Sequence, residues 1–294
     1  MNDEHVSERR HLMSVAFRML GTTAAAEDAV QEAYVRWYRL TDEERAAIQV
    51  PVAWLTRTVS RICLDVLGSA RLRRELYVGP WLPEPIPADT LPRVAADPLD
   101  RVTLDDGVST ALLVVLEQMT PAERVVFILH DAFAWTFAEI AEAVGRTPAA
   151  CRKLASEARK RVRAVRAEMV PRAEHDRVVR AFAKAVDGGD IRDLIEVLDP
   201  RVVLRSDGGG IVRAARRPVE GADRVARFLL GVLAKNPAFA LAAQETADGL
   251  GFVLWESDRV HSVVTVDVRD ARIHALRMVS NPEKLRMWRE TSHS

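Results

Sequence analysis

The chain has little cysteine, no net charge and no long apolar run, and each shortage removes a class of protein. Two cysteines in 294 residues, Cys63 and Cys151, fall on the apolar faces of separate predicted helices. That predicts buried free thiols and excludes a disulfide-stapled fold. Forty-two basic side chains balance 42 acidic ones. A free-standing nucleic-acid binder of that neutrality must segregate its cations or borrow affinity from a partner. No charged-then-apolar leader opens the chain and no stretch approaches a membrane span, so a cytoplasmic, soluble protein without a membrane partner is expected. Metal-ligand spacings, a Ser–His–Asp order and a phosphate loop are all missing, which predicts no metal, no cofactor and no enzymatic role. There is no internal repeat or low-complexity tract. The length calls for two or three domains.

What is present is most informative from Thr136 onward, in TFAEIAEAVGRTPAACRKLASEARKRVRAVR. Phe137, Ile140, Ala141 and Val144 recur at helical spacing, and Gly145 can turn the chain. Thr147 can cap a second helix, with Pro148 in its first turn where no backbone N–H is needed. In that helix Cys151, Leu154, Ala155, Ala158 and Val162 make one apolar stripe. Arg152, Ser156, Arg159, Lys160 and Arg163 make the opposite face. Between Arg146 and Arg166 eight basic side chains stand against one acid, Glu157. A helix packed on one side and cationic on the other can enter a major groove. The segment reads as a DNA-contacting helix-turn-helix.

Along the chain four segments follow. Residues 5–78 carry helical stripes through Leu12, Val15, Met19 and Leu20, then Ala29, Val30, Ala33, Tyr34 and Trp37, then Leu55, Val59, Ile62 and Val66. Residues 79–107 form a linker whose first part holds Pro80, Pro83, Pro85, Pro87, Pro92 and Pro98, a density that excludes regular helix. Residues 108–168 are helical again. Residues 171–294 open with a helix to about Ala185 and then change period. Strand-like runs occur at 202–204, 252–255, 260–268 and 273–279, with a helix at 222–233 among them. The fold class is therefore multidomain: two all-α parts and a C-terminal α+β domain.

Several strings in this order resemble the extracytoplasmic-function sigma factors of bacterial RNA polymerase, in the group with a fused SnoaL-like C-terminal domain. They are AEDAVQEAYVRW at Ala26–Trp37, RICLDVLGSARLRRELYVGPWLPEP at Arg61–Pro85, MTPAERVVFIL at Met119–Leu129, DGGG at Asp207–Gly210 and NPEKL at Asn281–Leu285. The resemblance covers nearly the whole chain. It implies a sigma-2 domain over 5–78 for core polymerase and the −10 element, a sigma-4 domain over 108–168 for the −35 element, and a SnoaL-like cone over 171–294. It further implies that Asp28, Gln31 and Glu32, exposed beside an inward face of Ala29, Val30, Ala33 and Trp37, meet core polymerase. Arg57, Arg61, Arg71, Arg73 and Arg74 are placed to follow a phosphate backbone in the first domain. Arg152, Lys153, Ser156, Arg159 and Lys160 are the DNA contacts expected in the second. Trp54, next to Leu55 in an apolar stripe, is expected to be core rather than a base-stacking platform. Val66 and Gly68 stand where many relatives carry arginine, and Gly68 should loosen its helix end.

Regulatory contacts are expected at three rigid or turn-forming elements: Trp81, Leu82 and Pro83; Asp207, Gly208, Gly209 and Gly210; and Asn281, Pro282 and Leu285. Prolines stiffen the first and third, and glycines permit close backbone approach in the second. The linker should pack on the C-terminal domain near these residues, with Trp81 as its apolar anchor, and this domain should modulate activity in cis. Relatives with SnoaL-like folds use an Asp, Glu or His inside the cone as acid or base, so Asp207, Asp258, His261, Asp267 and His274 are the candidates for a catalytic reading. Asp207, before three glycines, reads instead as a turn residue at a strand end. The competing function is a ligand-sensing or enzymatic SnoaL-like protein with an ordinary repressor half, and a small ligand in the cone is a further partner to look for.

Overall fold

A computed structural model describes residues 2–75, 79–88 and 110–290. The chain forms two units, residues 1–75 with 91–165, and residues 76–90 with 166–294.

In the first unit, α1 (Asn2–Leu20), α2 (Thr23–Arg39) and α4 (Pro51–Glu75) pack on one another, and the short α3 (Asp42–Ala47) lies in the connection from α2 to α4. Their helical stripes supply the core: Leu12, Val15, Phe17 and Met19 from α1, Ala29, Val30 and Ala33 from α2, and Leu55, Val59, Ile62 and Cys63 from α4 are buried. Thr22 caps α2 by accepting from the Ala25 amide. Gly68 lies inside α4, which continues to Glu75. The C-terminal helices are α5 (Thr110–Glu117), α6 (Pro121–Phe127), a π turn at Ile128–Ala132, α7 (Phe137–Val144) and α8 (Pro148–Arg166). Thr120 and Thr136 each close a capping box, with Glu123 and Glu139. Such reciprocal bonds satisfy orphan amides at a helix start. The two helical segments share one unit because α4 packs against both α6 and α7.

Buried Arg124 ties α6 to α1 and α5. Its guanidinium donates to the carbonyls of Leu116 and Met19, each at 2.8 Å, and pairs with Glu117 at 2.7 Å. A buried cation is tolerated only when so fully partnered.

Both cysteines are buried and unbridged. Burial pushes the Cys63 thiol up to about 12 and raises Cys151, against a weaker opposing pull from Arg146. At pH 8 roughly one Cys63 in ten thousand is thiolate. N-ethylmaleimide should therefore leave both thiols unmodified in the native protein and label both in denaturant. Labelling of either in the native state at the rate of free cysteine would show that its helix is not packed this way.

The second unit begins with α9 (Arg172–Gly188) and α10 (Ile191–Val197), followed by β1 (Leu198–Asp207), β2 (Val219–Glu220), α11 (Ala222–Lys235), β3 (Phe239–Thr246), β4 (Gly249–Glu256), β5 (Arg259–Arg269) and β6 (Arg272–Val279). The six strands form one sheet in the order β2-β1-β6-β5-β4-β3. Within it β1 and β6 pair in parallel, and the other neighbours are antiparallel. Alternation along the strands divides the apolar residues between two faces. Phe252, Val264, Val266 and Leu276 meet Val179, Phe182, Leu194 and Val225 from the helices. Val253, Val260, Val263 and Val279 form a second cluster on the other face, with Leu82, Leu285 and Trp288. This is the α+β domain expected.

The strand at Phe239–Thr246 was not among the expected ones. Its FALAAQET sequence is rich in alanine and has no β-branched run, yet it pairs residue for residue with β4 from Phe239↔Glu256 to Thr246↔Gly249. Tertiary pairing overrides the weak local preference.

Candidate nucleic-acid interface and linker clasp

The helix-turn-helix is built as its sequence suggests. Gly145 ends α7 in the left-handed conformation (φ 66°), and its amide donates back to the Ala141 carbonyl. At that positive φ glycine avoids the backbone strain that a side chain would bring. Thr147 accepts from the Ala150 amide at 3.2 Å. Cys151, Ala155, Ala158 and Val162 are buried, while Arg152, Lys153, Ser156, Lys160 and Arg163 are exposed. Arg152 and Lys153 make no ion pair among the described residues. Arg159 is held differently, with Nε 2.7 Å from Asp131 in the π turn. Lys160 pairs with Glu157 one turn back at 3.0 Å.

The cations of α4 are not all open to a ligand. Arg61 donates to the carbonyls of Ala143 (3.1 Å) and Glu142 (2.9 Å), and Arg57 Nη1 lies 2.9 Å from Glu142 Oε1. Those carbonyls are among the four that end α7 without helical partners, where a cation is also favoured by the helix dipole. Phosphate contact through Arg57 or Arg61 would compete with these bonds. The side chains of Arg71, Arg73 and Arg74 lie outside the described residues.

On α2, Asp28 and Gln31 are exposed, and Glu32 is half-buried and bonded to Arg36 at 2.9 Å. Trp37 is half-buried rather than inward-facing, and so is Trp54. Their rings meet edge to face at 5.3 Å, which leaves each partly in solvent and neither in the core.

The linker contact is the most detailed site of the second unit. Leu82 is buried in irregular chain, where its backbone N–H and C=O must find partners outside regular structure. The N–H donates to Asp207 Oδ2 at 2.9 Å, and the C=O accepts from Lys284 Nζ at 2.6 Å. Lys284 and Asp207 complete the triangle at 2.7 Å, both buried. Asp207 Oδ1 accepts from the Gly209 amide at 3.0 Å, and the Asp207 carbonyl accepts from the amides of Ser280 and Asn281. A Cβ on Gly209 would stand 2.5 Å from the Asn281 side chain, so only glycine admits this approach. Further along, Trp288 Nε1 donates to the Pro85 carbonyl at 2.8 Å, and the Ala247 amide donates to the Ile86 carbonyl at 2.9 Å. Pro87 bridges to Thr246.

Two expectations are corrected here. Trp81 is not the apolar anchor: it is half-buried with Lys284 Nζ 3.9 Å above its ring. Leu82 and Trp288 fill the core instead, in the cluster with Val253, Val260, Val263 and Val279. Asp207 ends β1 but is fully buried, since the linker and the 281–285 segment close over it. Lys284 and Trp288, central to the clasp, were missed. The lysine of NPEKL offered a signal, as the cation of one motif facing the lone acid of another.

The other acid–base candidates are exposed or already partnered. Asp258 is exposed, Asp267 pairs with Arg277 at 2.6 Å, and His274 lies 3.3 Å from Asp199. His261 is half-buried against Phe239 and bonds Ser262 at 2.8 Å; burial lowers its pKa. Among the helices and sheet, an apolar cleft bounded by Phe182, Leu229, Phe252 and Met278 has a volume of only about 30 Å³, space for about one water.

These features define a helix-turn-helix DNA-binding protein whose linker is bound by a fused α+β domain. The Sigma-70 region 2 model matches residues 6–74, and the Sigma-70, region 4 model matches residues 109–162. The chain is 41% identical over 288 residues to the ECF RNA polymerase sigma factor SigJ of Mycobacterium tuberculosis H37Rv, spanning 94% of this chain and 90% of that protein. It is 38% identical over 288 residues to the probable ECF RNA polymerase sigma factor SigI of the same organism, spanning 95% and 92%. The crystal structure of M. tuberculosis SigJ superposes with a TM-score of 0.74 at 36% identity, covering 98% of this chain and 99% of that one. The chain belongs to the extracytoplasmic-function sigma factors of RNA polymerase.

Proposed function

We propose that the protein is a dissociable promoter-recognition subunit of RNA polymerase, active in the cytoplasm, whose transcription activity its own C-terminal domain modulates. In this reading residues 5–78 bind core enzyme through Asp28, Gln31 and Glu32 and engage the −10 element. Residues 108–168 read the −35 element through α8. The protein is a regulator and not a catalyst, and its neutral overall charge fits a subunit whose non-specific DNA affinity comes largely from core polymerase.

The observation that carries the regulatory part is the Asp207–Lys284–Leu82 triangle. It fixes to the C-terminal domain the linker that joins the two promoter-reading segments. A flexible tether would need no buried ion pair.

Run-off transcription with core enzyme tests both parts. A chain ended at Glu168 loses the whole domain and should be inactive. A chain ended at Ser280 loses Lys284, Leu285 and Trp288 but keeps the sheet, and should be more active than the full chain. Equal activity of all three at equal soluble concentration would sink modulation in cis. Gel shifts with and without core enzyme address the sigma assignment, since an ordinary repressor binds its site alone.

A further inference from the structure

Beside the clasp, at the end of β1, lies a cavity of about 260 Å³. Ser206, Gly208 and the loop from Gly210 to Arg216 line it, and Gly79 of the linker closes one side. The loop arches tightly: a Cβ on Gly208 would stand 2.2 Å from the Val212 carbonyl oxygen and 2.8 Å from Ala214 Cβ.

The cavity's chemistry is one-sided. From Gly208 to Val219 the sequence holds Arg213, Arg216 and Arg217 and no acid. Among the described residues, neither Arg213 nor Arg216 pairs with a carboxylate. The one acid next to the cavity, Asp207, is committed to Lys284, Leu82 and Gly209. Ala214 and Ala215, between the two arginines, are half-buried. Their amides, and those of Arg213 and Arg216, donate to no protein acceptor among the described residues. Arg213 and Arg216 are exposed, so amides without a partner in the chain are available here to water or to a bound acceptor.

Two guanidinium groups flanking a run of unclaimed amides match an oxyanion with several acceptor oxygens, phosphate above all. The volume is slightly under the roughly 300 Å³ at which pockets for larger organic ligands begin. We propose that this cavity binds a small phosphate monoester, its phosphate on Arg213, Arg216 and the amides between them and its organic part toward Ser206 and Gly79. The site lies outside the apolar cleft between the sheet and the helices. Because Gly79 is two residues before Trp81, an occupant would touch the linker at its entry to the clasp. Binding itself does not depend on the cis-regulatory reading.

Isothermal titration of the full chain in phosphate-free buffer, with adenosine monophosphate and inorganic phosphate as probes, tests the site. Both should bind saturably and compete. Arg213→Ala with Arg216→Ala should weaken both by about tenfold or more, since each lost charged hydrogen bond counts. The parent's thermal unfolding should be retained. Lysine at both positions should restore part of the affinity, as a point charge without the planar fork. No saturable binding at millimolar probe would overturn the proposal. So would equal affinity in the alanine variant, or binding of a short duplex of unrelated sequence without binding of either small probe.

Discussion

Asp207→Ala should destabilise the C-terminal unit by about 3–5 kcal/mol, the usual result of stranding one member of a buried ion pair. Asp207 is fully buried, and its carboxylate serves Lys284, the Leu82 amide and the Gly209 amide at once. Removing it takes the counter-charge from a buried ammonium and the acceptor from two amides. For a unit of this size the loss amounts to a fall of roughly 10 °C in melting temperature. Asp207→Leu with Lys284→Met should recover much of that, because an apolar pair of similar volume avoids the desolvation of two charges. Calorimetry of the parent and both variants checks this, and a melting temperature unchanged by Asp207→Ala would refute the geometry described. Transcription by the double variant is then informative. With stability restored, any change in activity reflects the lost ties of Leu82 and not unfolding.

The second large effect lies on α8. Arg152→Ala with Lys153→Ala should cut promoter affinity of the holoenzyme sharply and leave stability as it was, because both side chains are exposed and unpaired among the described residues. If both meet phosphate, the slope of log affinity against log salt should shrink by about two, near 0.9 for each phosphate no longer neutralised. If one reads a base edge, discrimination at that base pair should fall by roughly 1–3 kcal/mol. Arg159→Ala should act differently. Its guanidinium already holds Asp131, so the variant loses a tie between α8 and the π turn as well as a cation. Fluorescence anisotropy across a salt series separates these outcomes. Parent affinity and slope in the Arg152–Lys153 double variant would remove α8 as the reading helix.

Local devices were legible in the sequence. Thr147 before Pro148 and the turn at Gly145 act within three or four residues, so spacing reveals them. The stripe through Cys151, Ala155, Ala158 and Val162 is buried because helical periodicity leaves it one face. The strands of Val, Ile and Leu were legible for the same reason, with period two. The alanine-rich β3 was not, since its strand character comes from β4 beside it.

What the sequence determined by itself is therefore the class of each segment, the helix-turn-helix with its cationic face, and the three motifs able to make fixed contacts. Tertiary structure alone decided which side chains complete those contacts. Asp207 and Lys284 are 77 residues apart, and Leu82 and Lys284 are 202 apart; only the folding of the linker and the chain's end onto the sheet makes them neighbours. It also decided that Trp288 and not Trp81 is the buried tryptophan, and that Arg57 and Arg61 close on the end of α7. Periodicity assigns a residue to a face, but the partner across that face is set by packing between distant segments, and no local spacing records it.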